Sequence, residues 1–228
     1  MIAGTMMASR EKKQRADLPT NGDSVRNGRA RRRLSREELT PEAKERIFAA
    51  AAQVVGVYGY MNASMKRITQ AARIAEGTFY LYFSSRQALF DELLPHVGAQ
   101  MLRFVGDRVR GTENLYEMEE RGFRAFFAFL KKEPGFFRIL NEAESAAPDA
   151  HRAHFRMLGD NYLRALRRGV TRGEIRNFDD EELEAVAYML MAARNYLHLR
   201  YVRDNPTAND IPEKVVQAYM KIVRDGLR

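Results

Sequence analysis

The chain has 228 residues, no cysteine and a net charge of +8, with 45% hydrophobic and 30% charged residues. That length can bury a sizeable core in one or two domains, and the lack of cysteine excludes a disulfide-stapled secreted scaffold. There is no apolar run of about 18 residues and no N-terminal stretch fit for a secretory signal, so no membrane partner and a cytoplasmic location are expected.

The charge is unevenly placed. The first forty residues hold ten Lys and Arg against five Asp and Glu, which is +5 of the net +8. Residues 1–39 lack apolar periodicity and contain Pro19, Gly22 and Gly28, the pattern of a disordered basic tail. Arg29, Arg31, Arg32 and Arg33 cluster just before the first helix. They form either a DNA arm reaching phosphates or the minor groove, or a solvated tail whose true start is at Met6 or Met7.

Thr40-Pro41 opens the first helix, a cap residue followed by proline at the first helical position. Ile47, Ala51, Val54, Val55 and Tyr58 make one apolar stripe, and Gly59 ends it. In the second helix Met65, Ile68, Ala71 and Ala72 recur at helical spacing behind Ser64, a natural cap. A break at 73–75 leads to a third helix over Glu76 to Phe83, in which Phe79 and Phe83 share a face. Gly77 and Leu81 fall opposite, flanked by Thr78, Tyr80 and Tyr82. One face can therefore anchor to a core with Ile68, Leu89 and Phe90. The other offers the small, aromatic-edged surface that a helix in a DNA major groove requires.

Gly59-Tyr60, Ser64, Ile68, Ala71-Ala72, Gly77 to Phe83 and the basic Arg86 together resemble the DNA-binding domain of the TetR (tetracycline-repressor) family of bacterial regulators, over about residues 41–95. The resemblance implies DNA contacts from Ser64, Met65, Lys66, Glu76, Gly77, Thr78, Tyr80, Leu81, Tyr82 and Arg86, the last at a phosphate where the family commonly has Lys. Three positions depart from the family pattern. The turn glycine is Arg73, the serine capping the recognition helix is Ala75, and Glu76 follows it. A non-glycine residue at positive φ costs roughly 1 kcal/mol, so a differently shaped turn is expected. Glu76 suits a helix N-terminus, would repel a phosphate, and could accept from cytosine N4.

Ser84-Ser85-Arg86 starts a long fourth helix through Leu89, Leu93, Val97 and Met101, with Pro95 inside it as a point of kinking or splitting. The rest is helical throughout: 115–131, 136–144, 149–169, 179–202 and 211–223. The fold class is all-α, an N-terminal three-helix helix-turn-helix domain (40–95) followed by a larger helical effector-binding and dimerisation domain (96–228).

From Leu183 to Val202 apolar residues occupy nearly every helical angle, and the final helix carries another wide band. Such helices need cover on more than one side. We expect Tyr188, Ala192, Tyr196, Leu199, Val215, Tyr219 and Ile222 to pair with their twofold mates in a homodimer, as the resemblance also implies. Two recognition helices about 34–36 Å apart would then read a palindrome. Arg194, Asn195 and His198 interrupt the apolar helix; they either meet a ligand carboxylate or phosphate or pair across the dimer, and the dimer reading is preferred. Phe104, Phe123, Phe126, Phe127, Phe137, Met157, Tyr162 and Met189 are candidates to line an apolar effector cavity, with plain core packing as the alternative for each.

The expected function is a regulator, a repressor released from a double-stranded DNA operator by a small apolar effector. The rival is a helical lipid or acyl carrier that has lost operator binding. No cofactor and no catalytic residue is expected. His151 and His154, near Glu142 and Glu144, imitate a metal set. A di-iron site needs Glu-x-x-His on two helices and two further Glu, so they read as surface histidines and no metal site is assigned.

Overall fold

The computed structural model describes residues 40–203 and 210–227, which form nine α-helices and one π turn with no strand among them. The arginines at 29 and 31–33 lie outside the described residues. Helix α1 (Pro41–Asn62) starts where Thr40 Oγ1 accepts from the Ala43 amide at 3.2 Å. Gly59 breaks it with φ +75°, a left-handed conformation that glycine adopts without cost. Ile47, Ala51, Val54 and Val55 are buried, but Tyr58 is exposed, with the Arg67 guanidinium 4.3 Å over its ring. Tyr60, carried round by the Gly59 break, is buried against Phe90.

Helix α2 (Met65–Ala72) is capped by Ser64 Oγ, which accepts from the Arg67 amide. The turn after it is not reshaped by the missing glycine. Arg73 itself takes the left-handed conformation, φ 56° and ψ 43°. Backbone bonds from the Arg73 amide to Gln70 O and from the Ile74 amide to Thr69 O hold it there. Helix α3 (Glu76–Tyr82) begins at Ala75 with no side-chain cap, and Phe83 lies just past its end. Phe79 and Phe83 are fully buried, ring centroids 5.4 Å apart.

Helix α4 (Arg86–Val109) is capped by Ser85 and runs on through Pro95 unsplit. The proline forfeits one backbone bond, and buried Leu93, Leu94, Val97 and Met101 keep the helix packed on both sides of it. Then follow α5 (Leu115–Lys132), α6 (Phe136–Ala146), α7 (Pro148–Thr171) and α8 (Asp180–His198), the last opened by a reciprocal Asp179–Glu182 capping box. A π turn (Leu199–Arg203) continues α8, and α9 (Glu213–Gly226) is the final helix.

Helix α4 packs on α1, α5, α6 and α7, while α8 lies on α7 and α9 on α5. Helix α6 packs against α1 through bare backbone. A Cβ added at Gly56 would sit 2.8 Å from the Gly135 Cα, so only glycine allows this approach.

The uncapped α3 and the strained Arg73 leave stability to be gained. Ala75→Ser supplies the missing cap and should add about 1 kcal/mol. Arg73→Val, β-branched at positive φ, should cost about 1 kcal/mol or more. Urea midpoints at constant slope measure both; a destabilised Ala75→Ser would contradict the cap assignment.

Candidate nucleic-acid interface and effector cavity

The buried Phe79–Phe83 pair fixes which side of α3 faces outward. Glu76, Gly77, Tyr80 and Leu81 are exposed, Tyr80 by 53%, and Thr78 is half-buried. On α2, Ser64 and Lys66 are exposed while Met65 packs partly against the core. Arg86 is exposed at the start of α4, its guanidinium 5.4 Å over the Phe90 ring. Tyr82 is placed differently from its expected role. Its hydroxyl accepts from the Thr40 amide at 3.0 Å, tying the end of α3 to the start of α1. The exposed side chains put apolar, polar and cationic groups on α2, α3 and the start of α4, a mixture that suits base edges and phosphates.

Beside the Gly56–Gly135 approach, two polar side chains of α6 hold the end of α1. Arg138 Nη1 donates to Val57 O at 2.6 Å, and Glu142 Oε2 accepts from the Tyr60 amide at 2.8 Å. The two side chains also bond each other at 2.7 Å. Backbone groups freed by the Gly59 break are thus satisfied from α6. The other face of α6, with Phe136, Phe137, Leu140 and Asn141, lines a cavity of about 410 Å³. Its remaining walls come from α4 (Met101, Leu102, Val105), α5 (Met118, Phe126), α7 (Phe155, Leu158, Tyr162) and α8 (Met191, Arg194, Asn195).

Of the residues expected to line a cavity, Phe126, Phe137 and Tyr162 do so. Phe123 and Phe127 are core, with Phe123 stacked 4.2 Å from Tyr219. Phe104 stacks beneath Arg108 and near Lys132. Met157 packs towards Gly98 outside the lining, and Met189 is exposed by 66%. Aromatic spacing on one helix identifies a buried face but not which buried face borders empty space, and that separates the two groups.

The expected interface residues also divide. Tyr196 and Ile222 are exposed by 70% and 74%, Tyr188 and Ala192 are exposed, and Leu199 and Val215 are half-buried. Tyr219 lies inside the protomer, where its hydroxyl donates to buried Glu119. Burial is the main cause pushing the Tyr219 phenol far above its usual range. Arg194, assigned from sequence to the interface, is buried instead and pairs with the same Glu119 oxygen at 2.8 Å. Tyr188, Ala192 and Tyr196 border the cavity as well as the outer face of α8.

His154 is not a surface residue. It is completely buried at the cavity wall, and its ring lies over Gly98 of α4, where an added Cβ would meet Nδ1 at 2.3 Å. Among the described residues no group of three metal-ligating side chains is close enough to hold an ion. Sequence reasoning also missed Glu119; its only signal was a lone acid amid the apolar positions of α5.

Residues 47–93 match the family model described as bacterial regulatory proteins, tetR family. This segment, α1 through the first half of α4, is a TetR-family helix-turn-helix domain. Over 72 residues the chain is 36% identical to the HTH-type transcriptional regulator YvdT of Bacillus subtilis (strain 168), covering 32% of this chain and 37% of that protein. Over 101 residues it is 25% identical to an HTH-type regulator of Haemophilus influenzae, covering 44% of this chain and 54% of that one. The chain thus spans about a third to a half of the length of these relatives. The fold extends further. FadR of Bacillus subtilis in complex with stearoyl-CoA superposes with a TM-score of 0.69 at 16% identity, over 81% of this chain and 100% of that chain. The TetR-family regulator PfmR of Thermus thermophilus superposes at 0.60 and 20% identity, over 80% and 99%.

Burial, with a smaller contribution from His151, pushes the His154 imidazole from 6.5 down to about 4. The neutral ring is therefore favoured in the folded state, and the unfolded chain binds the proton first. Stability from this group is complete above pH 6.5 and is lost as pH falls towards 4, by roughly 3 kcal/mol. Burial also lowers His96, against the opposing pull of Glu45. Urea unfolding of His154→Leu beside the parent at pH 7.5, 6 and 5 should show a shallower decline in the variant; parallel declines would exclude His154 as the titrating group.

Proposed function

We propose that the protein is a homodimeric transcriptional regulator, a repressor that leaves a palindromic operator when a small, largely apolar effector fills the cavity. The observation carrying this reading is α3. Its buried pair Phe79 and Phe83 presents Gly77, Tyr80 and Leu81 outward, within a segment matched to a family of DNA-binding regulators. In this reading Tyr80, Leu81 and Glu76 meet base edges, Lys66 and Arg86 meet phosphates, and Ser64 orients α2 through its cap. The dimer is supported by the exposed apolar face of α8 and α9, where Met189, Tyr196 and Ile222 have no cover within the protomer. The acyl ligand of the FadR structure supports an apolar effector.

Coupling has two material routes. Helix α4 carries the DNA-facing Arg86 at one end and cavity-lining Met101 and Val105 towards the other. Helix α6 lines the cavity with Phe137 and holds the end of α1 with Arg138 and Glu142. An effector that favours a different packing of either helix shifts the DNA-reading heads, and coupling of about 1–3 kcal/mol changes operator affinity about 5- to 150-fold. A helical carrier that has lost operator binding would share the cavity but not the DNA affinity.

Mobility shifts with the DNA upstream of the protein's own gene test this reading. Arg86→Ala should weaken all duplexes alike and lower the salt slope by about 1. Tyr80→Ala or Leu81→Ala should reduce discrimination against single-base variants by about 1–3 kcal/mol. Absence of any sequence-preferring shift by the parent would favour the carrier.

Light scattering tests the dimer separately. Tyr196→Asp with Ile222→Asp should halve the solution mass while helicity is retained. An unchanged dimer would move the interface elsewhere.

A further inference from the structure

We infer that the effector is an amphipathic acid, with its apolar body in the cavity and its carboxylate received by Arg194. The inference rests on the reading of this cavity as the effector site and gives that site a chemical class. The walls contributed by Met101, Phe126, Phe137 and Leu158 ask for hydrocarbon. Arg194 does not fit that demand. Its side chain is 8% exposed and borders the cavity, yet only Nη2 is bonded, to Glu119. Nε and Nη1 are buried without a partner. A buried charged donor left unmet is costly, and such a group persists where something else completes it.

Charge selects the acceptor. The charged residues of the lining are Glu119, Arg194 and Arg168. Glu119 already takes Arg194 and the Tyr219 hydroxyl. Arg168, exposed at the rim, makes no side-chain hydrogen bond or ion pair with any described residue. Two guanidiniums thus stand against one carboxylate, and a monoanion brings the lining to neutrality. An alcohol leaves that excess in place, and an amine adds a third positive charge. Arg194 is further held by the Tyr162 ring, 5.0 Å below its guanidinium, so its free N–H groups are fixed in direction. Buried His154 has both ring nitrogens unpartnered and supplies a further N–H. Asn195 Oδ1 is likewise buried and unpartnered, and a half-turn of its amide presents NH₂ to the same acid.

The test uses the full chain and four probes of one chain length: decanoate, methyl decanoate, decanol and decylamine. Calorimetric titration should give decanoate binding tighter than the other three by about tenfold or more. Replacing Arg194 alone would strand Glu119 inside the protein, so both are neutralised with Arg194→Gln/Glu119→Gln. This variant should keep decanol binding and lose the preference for the acid. Arg168→Gln, at an exposed position, should fold normally and lower the preference in part. Methyl decanoate or decanol binding the parent as tightly as decanoate, retention of the preference in the double variant, or no binding of any probe would each overturn the inference. Operator binding is read separately. Decanoate that binds without changing the mobility shift refutes effector release and leaves the acid site standing, whereas release by neutral compounds alone refutes the acid site and leaves the regulator standing.

Discussion

The carboxylate of Glu142 sits at the junction on which the architecture depends. Helix α1 must stop within reach of the body, and Gly59 stops it by turning to positive φ. The turn frees backbone groups that burial would otherwise penalise. Glu142 and Arg138 take them up, one receiving the Tyr60 amide and the other donating to Val57 O. A side chain at Gly59 would meet the Glu142 carboxylate at 2.5 Å, and one at Gly56 would meet the Gly135 backbone. Two glycines and one ion pair therefore fix how closely the helix-turn-helix is held to α6. The polar part of this contact resists sliding, because moving it leaves named donors and acceptors unmet.

The body contains the opposite arrangement, an ionic group where hydrocarbon would pack more cheaply. Glu119, Arg194 and Tyr219 join α5, α8 and α9 through one carboxylate oxygen. A buried pair of this kind adds little net stability over apolar residues of similar volume. What it does supply is register. Helices α8 and α9 are separated in sequence by residues 199–212, and each is tied to α5 at the same atom. The trio also keeps a guanidinium at the wall of an otherwise apolar cavity, which no arrangement of Phe and Leu would do.

Much of this was legible in the sequence where a single residue type does one job. Thr40, Ser64, Ser85 and Asp179 cap the helices they precede, and Phe79 with Phe83 settles the orientation of α3. Helix periodicity failed where a face meets more than one neighbour. Phe123 and Phe126, three apart on α5, lie respectively in the solid core and at the cavity, and nothing in their spacing distinguishes them. Arg194 was misplaced because charge in an apolar helix suggests an interface, whereas its partner Glu119 lies 75 residues away and is visible only once the helices are packed. His154 failed for a related reason. Its burial depends on Gly98 of another helix leaving room for a ring. Arg73 shows the converse, a local cost that two backbone bonds and the packing of α3 override.

Helix α8 has more to accommodate than any other. Tyr188, Ala192 and Tyr196 face outward yet border the cavity, so its mouth opens on the same apolar face that the proposed dimer would cover. If a partner lies there, entry of an effector and closure of the interface act on the same side chains. Tyr188 packs over Gly159 of α7, where a Cβ would lie 3.3 Å from its hydroxyl, so the glycine makes room for it. Tyr196, 70% exposed, is placed to cover the opening or to stack on a partner. Occupancy and assembly then draw on one set of contacts, and by linkage whatever the effector does to dimer affinity the dimer must do equally to effector affinity.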